Sequence, residues 1–504
     1  MKGDKTNSTT KSFISLFGTT SASKALAFVY QATIAAKIGA NIVTDSYITA
    51  TEFYTFINAT VFDALIIVLL GRYIAIQTSD GEKAAMKMVS NVISICIPVM
   101  LILSVGLVVC SDYVVIILTP GFTMEQREMV ARCIRQLAVT PVIFSIAVSY
   151  EVILRQHKHY VVLSLQSFFI SSIGIVCVLF FSGGNDNADA ITIGYVISII
   201  TYCLFLFLGV RRYGTVNLQR PIINNDLKII SHDVIPLIIS SGITKTALMI
   251  DKVLASTQGI GAISCLAYCQ MLYYFIVTIF IKNMCTVLLT DFVKLCTEKK
   301  LEHMKEKIRR AVSMLTYVMI PITILTIIFA KEITTIVFAR GNFSGENVET
   351  TAELLAIYAI SFIPAIIQNI YTQVHYAFGE NKVAMRNGLI SIGINIGTSV
   401  GLSLIIGLNG IAIGTVISTI VSAAYLKKTL VRHLPGYRLF GDKKALVRLG
   451  VGTASCLIVS IAVKLSFTAS ELAVFSVATV LSFAVFFLIL LLLKEPLIKV
   501  YLPK

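Results

Sequence analysis

Charge is scarce in this sequence. Only 14% of its 504 residues are Asp, Glu, Lys or Arg, against 56% hydrophobic. A soluble chain carries roughly 25% charged residues to cover its surface, so a soluble globular fold is excluded. The alternation of outward apolar and inward polar residues that marks a membrane β-barrel is missing as well. Chemical motifs are equally sparse. The ten cysteines show no CxxC spacing and no paired histidines nearby; Cys265 and Cys269 share one face of an apolar span, and all ten read as core packing. There is no metal-ligand cluster, nucleophile elbow, P-loop or dinucleotide fingerprint. An enzyme is therefore not expected, nor direct drive by ATP, nor a cofactor; coupling to an ion gradient or to the membrane potential is the plausible energy source. No small-residue cleavage site follows the first apolar stretch, so the first helix is expected to be retained.

What is present is apolar sequence in runs of about 20 residues, each long enough to cross about 30 Å of hydrocarbon. The expected fold is an all-α integral membrane protein of about fourteen transmembrane helices: 12–40, 45–72, 88–110, 126–152, 160–181, 189–210, 227–256, 262–292, 309–330, 349–376, 384–406, 409–427, 445–465 and 470–494. Lys and Arg fall in alternate connections. They run from Lys2, Lys5 and Lys11 through Arg211, Arg212 and Arg220 to Lys427–Arg448 and Lys494, Lys499 and Lys504. That is the positive-inside pattern, with both termini in the cytoplasm and an even number of spans. The net charge of +15 thus reports topology in a bacterial cytoplasmic (inner) membrane rather than a nucleic-acid partner. The stretch CTEKKLEHMKEKIRRAVSML, residues 296–315, reads either as a basic amphipathic helix on the anionic leaflet or as a solvated topology determinant ahead of the ninth span.

Two polar interruptions resemble one another. VFARGNFSGENVETTAELLAIYA begins at Val337, and ILTPGFTMEQREMVARCIRQLAV lies about 220 residues earlier. With one inserted residue, Gly121 pairs with Gly341, Phe122 with Phe343, Glu125 with Glu346, Glu128 with Glu349, Ala138 with Ala359 and Tyr150 with Tyr371. The same offset pairs Gly39 with Gly259 and Tyr54 with Tyr274. Each repeat holds six spans, an even number, so both lie in the same orientation, with a central pathway between them. The expected division is an N-lobe over 1–215, a C-lobe over 216–430 and a C-terminal helix pair over 431–504. In the second outer loop Gly341 permits a tight turn, and Ser344 is placed to cap the helix that follows.

Charges inside spans cost a few kcal/mol each and usually face a cavity or a partner. Here they gather in the first two spans of each repeat. Asp45, Glu52 and Asp63 are separated by seven and eleven residues and share a helical face. Lys245 and Lys252 are seven apart, with Asp251 beside them; Lys24 lies in the first span and Lys282 in the eighth. One reading is a polar cavity whose lysines meet an anion such as pyrophosphate. The other is that these lysines neutralise the four carboxylates in structural pairs.

Four segments in this order resemble the MviN/MurJ lipid-flippase family of the multidrug/oligosaccharidyl-lipid/polysaccharide exporter superfamily. They are AAKIGANIVTDSYITA, MIDKVLASTQGIGAISCLAYCQMLYY, FARGNFSGENVETTAELLAIYA and GLNGIAIGTVIS, the last with Gly410 and Gly414 for close helix approach. The resemblance covers roughly residues 15–430. It implies two six-helix lobes plus a C-terminal pair, and alternating access around a cavity lined by spans 1, 2, 7 and 8. The charges found independently in those spans make Lys24, Glu52, Asp63, Lys245, Lys252 and Lys282 the substrate-binding candidates, and Asp45, Asp251, Ser264, Arg340 and Gly341 the structural or gating candidates. Asp45 and Ser264 match the family. The cavity arginines do not: Lys24, Tyr30, Asn58, Ala59 and Met271 stand in their places, and Tyr274 replaces an acidic residue. Bidentate Arg recognition is gone. The implied activity is movement of a polyprenyl-pyrophosphate-linked glycan to the outer leaflet. The replaced arginines rank a surface-polysaccharide unit slightly ahead of lipid II, the peptidoglycan precursor. Membrane lipids and glycan-assembly enzymes are the implied partners. The alternative is a cation-coupled drug exporter of the same superfamily, served by the Asp45–Glu52–Asp63 face; a scaffold without transport is a third.

Overall fold

The computed structural model describes residue 19 and residues 22–493, apart from 158, 182–187, 215, 223, 344, 438, 440–442 and 467–469; for 160, 240, 243–244, 247–248 and 443 it describes backbone only. Ser344 and the basic residues of both tails lie outside the described residues. Every regular element among those described is a helix. Eleven are long and apolar enough to cross a membrane, or twelve if the bent pair Gly345–Ala359 and Phe362–Ala377 is one span. The count is lower than the expected fourteen because two expected spans are not in it. Span 12–40 is described only in part, as a helix over residues 22–37, and span 227–256 is the helix Asn225–Ser256, several of whose side chains are undescribed.

Local chemistry sets the helix boundaries. The 39-residue helix Ile42–Asp80 starts at Asn41, whose side-chain oxygen accepts from the amides of Val43 at 3.0 Å and Thr44 at 3.2 Å. It stops at Gly81, whose φ of 86° no β-carbon favours. At 1.5 Å per residue it is about 58 Å long and projects well beyond a bilayer core. The expected span 349–376 is instead two helices bent by 49°. Pro364 explains the break: it has no N–H to donate, and its ring crowds the carbonyl of Ile360 four residues back. The first repeat breaks in the corresponding place, between Met124–Leu137 and Thr140–Gln156, where Pro141 sits in the first turn. The basic stretch 296–315 forms no separate surface helix. Helix Leu301–Ile328 runs unbroken through it and buries Met304, Ile308 and Ala311, so the basic residues belong to the first turns of a spanning helix.

The chain forms two compact units, Met1–Ser264 with Arg340–Phe343, and Cys265–Ala339 with Ser344–Lys504. Units record which helices touch, whereas a repeat is a relation within the sequence, so the two divisions describe different things. In the first unit, helix Ile42–Asp80 packs against Glu82–Val109, Met124–Leu137, Thr140–Gln156 and Asn225–Ser256. Its core joins Phe62, Leu69 and Tyr73 to Val89, Val152 and Tyr202. The segment linking the two repeats lies along helix Glu82–Val109. Asn91 donates to the Ile222 carbonyl at 2.7 Å and accepts its amide at 2.8 Å, while Ser94 accepts the Gln219 amide at 3.0 Å.

In the second unit, helices Asn381–Ile406 and Leu408–Leu430 pack with no space at two glycines. A β-carbon at Gly410 would lie 2.3 Å from the Leu402 carbonyl carbon, and one at Gly414 would lie 2.8 Å from the Ser399 amide nitrogen. The C-terminal pair, Lys443–Ser466 and Glu471–Leu492, packs on helix Leu301–Ile328 through Phe486 and Leu490. Six of the ten cysteines are buried, in keeping with a part in core packing. Because backbone cannot yield at Gly410, Gly410→Ala is expected to cost about 1–3 kcal/mol, seen as a lower melting temperature in detergent. Gly397→Ala, on the same helix pair but with open space around it, is expected to leave melting unchanged or raise it.

Candidate functional site

The first unit brings together the landmarks that the sequence repeats. Helix 22–37 ends with carbonyls that lack an intrahelical donor. Asn342 supplies them: its amide donates to Ala36 at 2.9 Å and its side chain to Lys37 at 2.6 Å. The approach is closer than any side chain allows. A β-carbon at Gly341 (φ +62°) would lie 2.0 Å from the Ala36 oxygen, and one at Gly39 (φ +85°) would lie 2.5 Å from the Asn342 oxygen. The same arrangement recurs at the end of helix Asn225–Ser256, where a β-carbon at Gly121 would lie 2.4 Å from the Ser256 oxygen. Ala36 and Ser256 are 220 residues apart, as are Gly121 and Gly341. The loop of each repeat therefore closes on the end of the other repeat's first helix. Phe122 and Phe343 are buried beside these turns. The interruptions in the oily sequence are the two halves of one reciprocal seal.

A carboxylate completes it. Asp45 is fully buried at 0% exposure. Its Oδ2 accepts the Gly261 amide at 2.6 Å; its Oδ1 accepts the Ser264 amide at 2.8 Å and the Ser264 hydroxyl. Gly261 and Ser264 flank the start of the helix that begins at Ala262. Asp45 thus caps a helix 216 residues away in sequence, with its charge at the positive end of that helix. Hydrogen bonds to a charged acceptor contribute about 1.5–3 kcal/mol each, and burial keeps water from screening them. Lys252 (5% exposed) lies within electrostatic reach of both Asp45 and Asp251 (3% exposed), which supplies the counter-charge that buried carboxylates require. Oδ1 of Asp251 has no hydrogen-bond partner among the described residues.

Deeper along the same two helices, Lys245 Nζ meets Asp63 Oδ2 at 3.0 Å, with the side chains 29% and 62% exposed. Lys24 and Glu52 are exposed and form no ion pair among the described residues. Lys282 belongs to the second unit. It is exposed at the end of a single π-turn, Thr278–Lys282, with its ammonium 5.8 Å from the centre of the Tyr274 ring; such turns recur at functional sites. Arg340 is exposed at the rim of the Gly341 turn. The candidate residues therefore fall into a buried group (Asp45, Asp251, Lys252 and Ser264) with the exposed Gly341 turn beside it, an open ion pair (Asp63, Lys245), and the exposed side chains of Lys24, Glu52, Lys282 and Arg340.

Sequence reasoning missed Glu151, buried in the fourth span. It accepts from Arg155 at 3.1 Å and from the Tyr202 hydroxyl at 3.2 Å, and lies within electrostatic reach of Asp63. The available signal was the Glu–Arg spacing of four at the end of an apolar run. It also missed the ion pair of Arg72 with Asp226, which only tertiary packing brings together. Asp45→Ala leaves two buried amides without an acceptor, at about 1–3 kcal/mol each. Hydrogen exchange at Gly261 and Ser264 is expected to quicken roughly tenfold or more, with a smaller change at Asn342.

The model of the family described as "Lipid II flippase MurJ" matches residues 34–492. The "Probable lipid II flippase MurJ" of Rickettsia prowazekii is 25% identical over 344 residues, 67% of each chain. Its namesake in Rhizobium meliloti is 22% identical over 435 residues, 84% of this chain and 80% of the other. Among solved structures, "Lipid II flippase MurJ, inward closed conformation" has a TM-score of 0.82 at 17% identity, covering 96% of this chain and 100% of that one. An inward-facing multidrug resistance MATE family transporter of the MOP superfamily has a TM-score of 0.68 at 14% identity, covering 81% and 94%. The structural likenesses establish the fold. With the family model matched along nearly the whole chain, the protein belongs to the MurJ lipid II flippase family, whose members are multi-pass transporters of the bacterial inner membrane and not enzymes.

Proposed function

We propose that this chain carries a polyprenyl-pyrophosphate-linked glycan from the cytoplasmic to the outer leaflet, its head meeting the lysines and its tail remaining in lipid. Moving such a head through bare hydrocarbon means stripping water from several charges, which is prohibitive without compensation. The observation that carries the proposal is the Lys245–Asp63 pair, held on a MurJ fold in the helix pair that also bears the seal. An exposed pair is worth about 0–1 kcal/mol, so Lys245 exchanges its carboxylate for a pyrophosphate oxygen at little cost. The buried Asp45 network is several times stronger, and it serves as a latch. Substrate moves the equilibrium between closed and open only so far as it binds the two states differently.

The relatives are named lipid II flippases, which puts the peptidoglycan precursor ahead of a surface-polysaccharide unit and reverses the order that the missing arginines suggested. Both termini lie in the cytoplasm on this reading, where the chain meets glycan-assembly enzymes, and an ion gradient or the membrane potential supplies the drive. The drug-exporter reading retains one supporting observation, an exposed Glu52 on a fold shared with a MATE transporter; loss of organic-cation efflux in Glu52→Gln would favour it.

A deletion strain is expected to accumulate lipid-linked glycan. Lys245→Ala should lower transport roughly tenfold, the equivalent of one lost charge-assisted contact, while Lys245→Arg retains most of it. Unchanged glycan pools after deletion would remove the flippase reading, whereas an unaffected Lys245→Ala would remove only the site. Growth rescue of a lipid II flippase depletion strain would assign the peptidoglycan precursor; failure to rescue, with accumulation in the native host, would return the polysaccharide unit.

A further inference from the structure

Helices Asn283–Thr297 and Leu301–Ile328 of the second unit enclose a cavity of about 620 Å³ at the turn that joins them. Its walls are of two kinds. Met284, Leu288 and Met314 give one apolar side; on the other, basic side chains outnumber carboxylates. The three carboxylates are already engaged. Asp291 pairs with Lys307, Glu298 with Lys300 at 2.8 Å, and Glu306 with Arg310 at 2.7 Å and Arg309 at 3.4 Å. The Lys300 hydrogen bond holds the Glu298 carboxyl below its ordinary range, and the charge of Lys294 adds to this. Lys294 and His303 also line the cavity; both are exposed, and neither has an ion pair among the described residues.

The turn itself carries strain. Lys299, with a φ of 56°, is the one non-glycine residue in the left-handed region among those described. Bonds from the Lys299 amide to Cys296 and from the Lys300 amide to Leu295, each 3.0 Å, close a helix end where glycine is the usual occupant. A lysine there costs about 1–2 kcal/mol relative to glycine. It keeps another positive charge in the turn, between Glu298 and Lys300.

Both helices belong to membrane spans, so this turn lies where hydrocarbon gives way to headgroups. We propose that the cavity holds the headgroup of an anionic phospholipid from the leaflet at this boundary, with the phosphate against Lys294 and His303 and the acyl chains along Met284, Leu288 and Met314. Basic pockets between spans suit such headgroups because each nearby Lys or Arg contributes about 1 kcal/mol of attraction to anionic lipid. The inference concerns a resident lipid and stands apart from what the chain transports.

The sequence has no tryptophan, so Met314→Trp at the apolar wall would give the full-length protein a single reporter. The protein would be reconstituted in phosphatidylcholine vesicles in which about one-tenth of the lipid is brominated on its acyl chains, carried either by phosphatidylglycerol or by phosphatidylcholine. Brominated phosphatidylglycerol is expected to quench roughly twofold more strongly or better, in the direction set by the attraction of the Lys294 charge for anionic lipid. The preference should disappear in Lys294→Ala/His303→Ala, whose exposed side chains support no packing, and persist in Lys331→Ala. Equal quenching by the two lipids in the parent would overturn the proposal. So would a preference that survives the double substitution. Loss of the preference on adding inorganic phosphate, but not chloride of equal ionic strength, would reassign the cavity to a free anion and overturn the lipid reading as well.

Discussion

A single buried carboxylate organises the part of this molecule that its repeats share. Asp45 sits in the first turn of a 39-residue helix and accepts the first amides of another helix that begins at Ala262. Helix starts leave donors without partners, and in a membrane protein a donor without a partner is costly. A residue of the chain's own next turn would have satisfied them equally well. Using a distant aspartate instead makes the start of the one helix conditional on the position of the other.

The glycines act by the same logic with opposite chemistry. Gly341 and Gly121 provide no contact of their own; they allow a loop backbone to reach the terminal carbonyls of another helix. A carboxylate satisfies donors at one helix start, while loop backbones approach acceptors at two helix ends. The repeat appears in the structure as a pair of contacts at matching offsets. It is broken by Asn342, the inserted residue, which is also the one that donates to both Ala36 and Lys37.

Much of this was legible before any coordinates. Apolar runs and alternating basic loops give helices and membrane, because hydrocarbon leaves the backbone no other means of satisfying itself. Gly341 pointed to a tight turn, and Gly410 and Gly414 to close helix approach. Partners were not legible. Nothing in the vicinity of Asp45 in the sequence names Gly261, and its spacing from Glu52 and Asp63 suggested one shared role, whereas the structure buries Asp45 and leaves the other two exposed. Glu151 escaped notice because its partners, Arg155 and Tyr202, look like the ordinary ends of spans. The helix break before Pro141 and the bend at Pro364 were within reach of proline chemistry, but the unbroken hydrophobicity around them conceals both.

The connector between the repeats has a mechanical meaning. Asn91 pairs with both the amide and the carbonyl of Ile222, as a neighbouring β-strand would. The chain leading into helix Asn225–Ser256 is therefore splinted to the third span and cannot lengthen. Just beyond it, in the first turn of the helix, Arg72 grips Asp226. The entry to this helix is thus tied to two preceding helices, by an asparagine on one and an arginine on the other.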